Sequence, residues 1–269
     1  IELALYTIMV FILGGTLRGW LTKKQMMNGL ILGISLVLSI RNIQGEHLRI
    51  NGLYIGQGDS TIIEMPKYGL FIIDGGQFGK GKTVERFIKY LGYSKIRAVM
   101  VSHSDADHIG GIIELLDTSL QIERIFVSKA DGSPLMANLR KKCDEKHVPI
   151  CAVEANDSIQ YGQVSIECVA PSHQKVYANA NDNSIVCKLS YGVFSALFTG
   201  DFSKDTEPLI FDHVGPIHLL KVSHHGSRTG TSREMLLKLK PSYAMISCGR
   251  GNLYGHPHQE VLKLFQSEP

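Results

Sequence analysis

His103-Ser104-Asp105-Ala106-Asp107-His108-Ile109-Gly110-Gly111 is the stretch on which the fold turns. It follows residues 96–101, an apolar run of the kind that makes a buried strand, and it brings His103, Asp105, Asp107 and His108 together at the strand's end. Imidazoles and carboxylates this close repel or stay unpaired in a protein interior, and burying an unpaired charge is expensive, so the arrangement asks for a cation. A solvated polar loop is the plain alternative. Gly110 and Gly111 let the next helix begin against the site with no Cβ in the way.

Working outward, the same construction recurs. Phe198-Thr199-Gly200-Asp201 ends an apolar run with one carboxylate, and Lys221-Val222-Ser223-His224-His225-Gly226-Ser227 ends another with paired imidazoles. Tyr254-Gly255-His256-Pro257-His258 supplies two more before a helix. Singly these are weak: a Gly-Asp pair caps a turn as readily as it binds a metal, and a lone histidine is usually a satisfied core or surface residue. His147, His173, His213 and His218 take that bland reading. Strand ends in one sheet system converge, so the clustered groups can share a site.

The elements between these motifs alternate. Residues 53–63 and 69–73 read as a β-hairpin divided at Pro66 and Gly69. Helical spacing covers 83–91, with Val84, Phe87, Ile88 and Leu91 on one face. Strands at 96–101, 124–127 and 149–153 are separated by helices at 109–116 and 134–147. In the second half, residues 164–168 alternate, 184–189 and 193–199 form a hairpin turning at Tyr191-Gly192, and 219–222 and 243–247 are buried-type strands around a helix at 232–239. A last helix covers 259–266. Two β-rich halves with helices outside predict a helix-sheet-sheet-helix sandwich, an α/β fold.

Composition bounds the class without naming the chemistry. The 269 residues are 44% hydrophobic and 20% charged, which excludes a disordered chain. A net charge of +3, spread along the chain, does not argue for nucleic acid. The five cysteines form no C-x-x-C pair, and the odd count argues against a closed disulfide framework; buried small hydrophobes are the simpler reading.

The opening differs. Residues 1–16 and 26–40 are apolar, with Arg18, Lys23 and Lys24 between them, and residue 1 is Ile, as in a fragment. Each run makes roughly 22 Å of helix against a hydrocarbon core of about 30 Å. The charges follow the first run, which is wrong for a signal peptide. The expectation is an apolar helical hairpin and linker over residues 1–46, the transmembrane end of a membrane domain, and a second, globular domain over 47–269. A buried hairpin in a soluble domain is the alternative. The basic connection would stay cytoplasmic and leave the second domain facing outward.

The motifs occur in one order: Ile55-Gly56-Gln57-Gly58-Asp59-Ser60, Ile72-Ile73-Asp74-Gly75-Gly76, the 103–111 stretch, Asn181-Asp182-Asn183-Ser184, Thr199-Gly200-Asp201, His224-His225-Gly226-Ser227 and Tyr254-Gly255-His256-Pro257-His258. That series resembles the metallo-β-lactamase superfamily, and in detail the C-terminal domain of ComEC-type proteins, the inner channel proteins of natural transformation. The superfamily spaces its first ligands His-x-His-x-Asp-His; here Asp105 replaces the second His. The resemblance implies a metallo-β-lactamase αββα sandwich holding one or two divalent ions. His103 and Asp105 would hold one, Asp107 and His108 the second, and Asp201 would bridge them. The third motif normally gives a His, but Asn181-Asp182-Asn183 has none, so the first ion is short of a ligand. His224 or His225 completes a site; His224 is set among the ligands and His225 among the catalytic groups, although adjacency cannot separate them.

Asp107 would also orient the attacking water, and His256 and His258 would contact phosphate or the leaving group. Gly58 and Asp59 would line the cleft, with Asp74 beneath it. Ser227, Arg228 and Thr229 offer donors to a phosphate ahead of a helix; an ordinary N-cap at Ser232 explains them equally well. Paired cations suit in-line phosphodiester cleavage, and carboxylate in place of imidazole favours manganese or magnesium over zinc. The expected function is a nuclease that degrades the non-transported DNA strand during uptake, with single-stranded DNA, a membrane and other uptake components as partners. A phosphodiesterase or ester hydrolase acting on a small molecule or cell-wall polymer is one alternative, and a non-catalytic DNA-guiding module is the other.

Overall fold

The computed structural model describes residues 10, 14, 15, 19, 22–44, 47–172 and 177–267. It divides into two units, Ile1–Leu48 and Arg49–Pro269. In the first, helix α1 spans Lys23–Gln44 and runs through residues 41–44, where a polar linker was expected. Among the described residues no helix is long and apolar enough to cross a membrane, so the expected transmembrane hairpin is not seen there. The cause is polar punctuation: Lys23, Lys24, Gln25 and Asn28 bound one end of the apolar stretch and Arg41, Asn42 and Gln44 the other. That leaves roughly 18 Å of apolar helix. The first apolar run, residues 1–16, lies mostly outside the described residues.

The second unit is an α/β sandwich. Its first half runs β1 (Arg49–Gly52), β2 (Thr61–Met65), β3 (Gly69–Ile73), α2 (Gly81–Tyr90), β4 (Lys95–Val101), α3 (Ala106–Leu115), β5 (Gln121–Ile122), β6 (Ile125–Ser128), α4 (Pro134–Glu145) and β7 (Ile150–Val153). Its second half runs β8 (Ser158–Tyr161), β9 (Val164–Ala170), β10 (Val186–Tyr191), β11 (Phe194–Phe198), α5 (Phe211–Val214), β12 (Leu219–Lys221), α6 (Arg233–Leu239), β13 (Tyr243–Met245) and α7 (Gln259–Ser267). One sheet has the order β1-β2-β3-β4-β6-β7, with β5 beside β4; the other has β13-β12-β11-β10-β9-β8. Strands β3, β4, β6 and β7 are parallel, as are β11, β12 and β13.

Burial follows from side-chain alternation. In β9, Val164, Ile166, Cys168 and Ala170 are buried while Glu167 is exposed. In α2, Val84 and Ile88 point into the core. One apolar core joins the first sheet to α2, α3 and α4 through Ile72, Val99, Val84, Ile112 and Leu139. A second joins the other sheet to α5, α6 and α7 through Leu197, Leu220, Val214, Leu236 and the partly buried Leu264. Between the sheets, Phe71 of β3 meets Tyr161 of β8 edge-on, with ring centroids 6.4 Å apart.

The first strand pair is shorter than its apolar run predicts. Residues 53–60 leave the ladder as a loop, because Gly56 and Gly58 adopt φ of +85° and +120°, which no strand carries. This loop, with the segments that follow β3, β4, β11, β12 and β13, gathers at one end of the sandwich. The parallel strands all deliver their C-terminal ends there.

Candidate metal centre

The first layer of the site is built beneath α3. Asp74, just past β3, sits at φ +60° and its N–H donates to the Met100 carbonyl at 3.0 Å. The Gly75 N–H then donates to the His108 carbonyl at 2.8 Å, and the Gly111 N–H to the Gly76 carbonyl at 2.7 Å. A Cβ on Gly111 would run into the Gly75 carbonyl, so this glycine is what lets helix and loop touch. Helix α3 begins at Ala106, three residues before the expected start, and so carries Asp107 and His108 in its first turn.

Three imidazoles then aim the same nitrogen inward. The Asp74 carboxylate accepts from the Ser102 N–H at 2.8 Å and its hydroxyl at 2.7 Å, and lies 2.9 Å from His108 Nδ1. A carboxylate only accepts, so His108 is protonated at Nδ1 and its Nε2 lone pair faces the cluster. Ser102 Oγ has given its hydrogen to Asp74, so at 3.0 Å it accepts from His103 Nδ1. His225 Nδ1 lies 3.0 Å from the Ser247 carbonyl, which likewise leaves its Nε2 turned in.

Asp201 is the hub. Its carboxylate oxygens lie 3.2 Å from His108 Nε2, 3.4 Å from His225 Nε2, 3.8 Å from His224 Nε2 and 4.0 Å from His103 Nε2. His108 Nε2 and His225 Nε2 are 3.4 Å apart. Asp107 Oδ2 is 3.3 Å from His225 Nε2, and Asp105 Oδ2 is 3.6 Å from His103 Nε2. Acceptors therefore face acceptors. His103 Nε2, Asp201 Oδ1 and Asp59 Oδ1 are buried without a hydrogen-bond partner. That is the environment a divalent cation satisfies, and Asp59, His108, Asp201 and His225 each offer an atom within 4.8 Å of the others.

The electrostatics agree. Burial would depress His108, but Asp201 and Asp74 outweigh it and hold the imidazole well above its ordinary value. Burial also opposes His225, which Asp107, Asp201 and Asp59 nevertheless push up to about 12. Burial would raise Asp201; His108 and His225 carry it well below the usual carboxylate range.

The structure distributes the expected site residues unevenly. His103, His108, Asp201 and His225 are buried at the centre, and Asp105, Asp107 and His224 stand at its open side. His224 and His225 both adopt left-handed backbone, with φ of +50° and +55°, which splays their rings to 77°. Asp59, expected as a cleft wall, reaches into the cluster: its Oδ1 is 3.6 Å from His225 Nδ1. Gly58 carries it there, because a Cβ at that position would strike the Asp107 carbonyl. His256 lies 5.7 Å from His224 between ring centroids and 4.9 Å from His258. His258 Nδ1 accepts from the Arg228 N–H at 3.1 Å, and Arg228 reaches Glu260 at 3.9 Å. Ser227 and Thr229 bond one another at 2.9 Å. Ser232 caps α6 through Met235 N–H.

Two residues of the site escaped the sequence reading. Lys221 is buried at the end of β12, with its ammonium 2.7 Å from Asp59 Oδ2. Ser102 links Asp74, His103 and His108. The signal for Lys221 was a lysine inside the apolar run Leu219-Leu220-Lys221-Val222. The third-motif segment is structural: buried Asn183 receives the Tyr177 N–H and donates to the Tyr177 and Asn179 carbonyls.

The four-layer sandwich and this cluster are those of the metallo-β-lactamase superfamily, and the chain belongs to it: residues 82–229 match the beta-lactamase superfamily domain. Over 266 residues the chain is 29% identical to ComE operon protein 3 of Bacillus subtilis (strain 168), covering 91% of this chain and 34% of that protein. It is 29% identical over 238 residues to Recombination protein 2 of Haemophilus influenzae, covering 87% of this chain and 28% of that protein. The chain thus spans about a third of these relatives, and the resemblance to ComEC-type proteins is borne out. Among solved structures, the metallo-beta-lactamase fold protein YhfI from Bacillus subtilis superposes with a TM-score of 0.51 at 12% identity, covering 81% of this chain and 92% of that one. At that identity it speaks for the fold alone.

Proposed function

We propose that this domain is a metal-dependent phosphodiesterase that cleaves DNA, acting on the non-transported strand during uptake. The observation that carries the chemistry is the set of inward-facing acceptors around Asp201, several of them buried without partners. Its carboxylate content favours manganese over zinc. DNA as the substrate is supported by the ComEC-type motif order and by relatives named for the ComE operon and for recombination. The same reading puts the domain at a cell membrane among other uptake components.

His103, Asp105, Asp107, His108, Asp201 and either His224 or His225 would hold the ions, with Asp59 beside them. Bound there, divalent cations supply hydroxide near neutral pH and stabilise charge on the phosphoryl oxygens. The chain's own groups do the rest. Asp107, half-exposed at the open side, is placed to orient the incoming water. Burial and the neighbouring His224, His258 and His225 hold His256 down at about 4, so it meets substrate as a neutral imidazole. With Asn183 committed to its own loop, His103 and Asp105 would hold an ion more weakly than Asp107 and His108.

The test is digestion of labelled single-stranded DNA with manganese, zinc or chelator, using the wild type and the Asp107→Ala and Asp201→Ala variants. We expect manganese-dependent cleavage that both substitutions abolish without loss of the circular dichroism spectrum. Cleavage of a small phosphodiester but not of DNA would favour the small-molecule alternative. Loss of both would leave a DNA-guiding module.

A further inference from the structure

The rim of the metal centre carries rings that the fold does not use. Tyr54 and Tyr254 are each 67% exposed, and Phe78 is also exposed. These belong to three loops tied to one another at the mouth. Tyr254 stacks on His256 with centroids 5.6 Å apart and planes at 23°, and His256 Nδ1 lies 3.4 Å from Gln57 Nε2. Gln57 accepts from the Gly249 N–H at 3.1 Å, and the Tyr54 hydroxyl accepts from the Arg250 N–H at 3.4 Å. Phe78 packs its backbone and ring edge beside Gly110 of α3, one turn from Asp107.

Cations alternate with the rings. Arg250 is exposed beside Tyr54, and the Lys80 ammonium lies over Gly56 in the same loop, 3.9 Å from where a Cβ would be. Scattered exposed aromatics need no explanation. Several around one opening, interleaved with positive charge and continuous with a cluster suited to phosphodiesters, mark a binding surface. Ring faces accept unpaired bases and the cations track phosphates, which is how single strands are bound without regard to sequence. In a duplex those base faces are hidden.

We propose that Tyr54, Phe78 and Tyr254, with Lys80 and Arg250, form a stacking platform that binds single-stranded nucleic acid and lays its backbone across the metal centre. Its use in cleavage rests on the phosphodiesterase reading; its binding does not. The experiment is fluorescence anisotropy of labelled oligothymidylate with the 269-residue chain in chelator, where no hydrolysis competes. Replacing Tyr54→Ala and Tyr254→Ala together should weaken binding at least about fivefold per ring. Tyr54→Phe with Tyr254→Phe should keep it, and an abasic oligomer should show no difference between wild type and the alanine variant.

Unchanged oligothymidylate affinity in the alanine variant would overturn the platform, and so would an equal loss on the abasic oligomer or on a duplex. Manganese-supported hydrolysis of a small phosphodiester is measured in parallel. Tight binding with no hydrolysis would sink the proposed function and leave the platform standing; intact hydrolysis with unchanged binding would do the reverse.

Discussion

Asp74 takes hydrogen bonds from the Ser102 amide and hydroxyl and from His108, and so sets which nitrogen of His108 faces the cluster. In Asp74→Asn the amide NH2 would face His108 Nδ1 and drive the proton to Nε2, where a bound metal would sit. Calorimetric titration with manganese should then show affinity lower by about 10- to 100-fold. An unchanged affinity would make Asp74 a turn residue and nothing more. The motif spacing picked out His103, Asp105, Asp107, His108 and Asp201, which the structure gathers into one cluster, because residue type is what carries ligand chemistry. It could not separate His224 from His225, since what distinguishes them is that the folded backbone turns their rings 77° apart, burying His225 and leaving His224 partly exposed. Nor could it show Lys221 or Ser102, whose roles arise from segments that meet only in the folded sandwich.

At the scale of elements, hydrophobic periodicity located α2 and α4, each with one buried face, and continuous apolar runs located β4 and β11, buried along most of their length. It failed at residues 53–60, where apolar content stays high but glycine φ angles end the strand. At 26–40 the apolar run lies inside a longer helix that takes in polar residues at both ends, Lys23–Gln44. A connection it did not foresee links the short turn Glu207–Leu209 to α6: both Glu207 oxygens accept from the Ser232 N–H, each at 3.1 Å. Burial drives this carboxyl up from 4.5 to about 7, although the Ser232 hydrogen bonds pull the other way. The native state therefore binds more protons than the unfolded chain in that interval, and stability falls as pH rises through it, by about 3 kcal/mol in full. Glu207→Gln should raise the melting temperature at pH 8 and leave it nearly unchanged at pH 4. An equal gain at both would exclude ionisation as the cause. The Gly111 contact allows a complementary test: Gly111→Ala must separate α3 from the Gly75 carbonyl. It should cost several kcal/mol in denaturant unfolding, whereas alanine at exposed Gly132, with open space around it, should cost little.

For the whole molecule, the two compact units suggest that the sandwich is self-sufficient. A chain beginning at His47 should match the full chain in unfolding midpoint and metal affinity, measured side by side; a large loss in either would mean that the N-terminal unit completes the fold. Within the sandwich, the parallel strands of both sheets end at the same pole. One sheet brings His103, Asp107 and His108 to the cluster, and the other brings Asp201, His224 and His225. A cation held by both would act as a clasp between two leaves otherwise joined by side-chain packing and a few polar ties, such as the Ile185 N–H to the Ser102 carbonyl at 2.7 Å and Lys221 to Asp59 at 2.7 Å. Occupancy and closure are then one equilibrium. The melting midpoint should climb with the logarithm of free manganese once the ion exceeds its dissociation constant. Any substitution that loosens either leaf, however far from the histidines, should reveal itself first as a leak of metal.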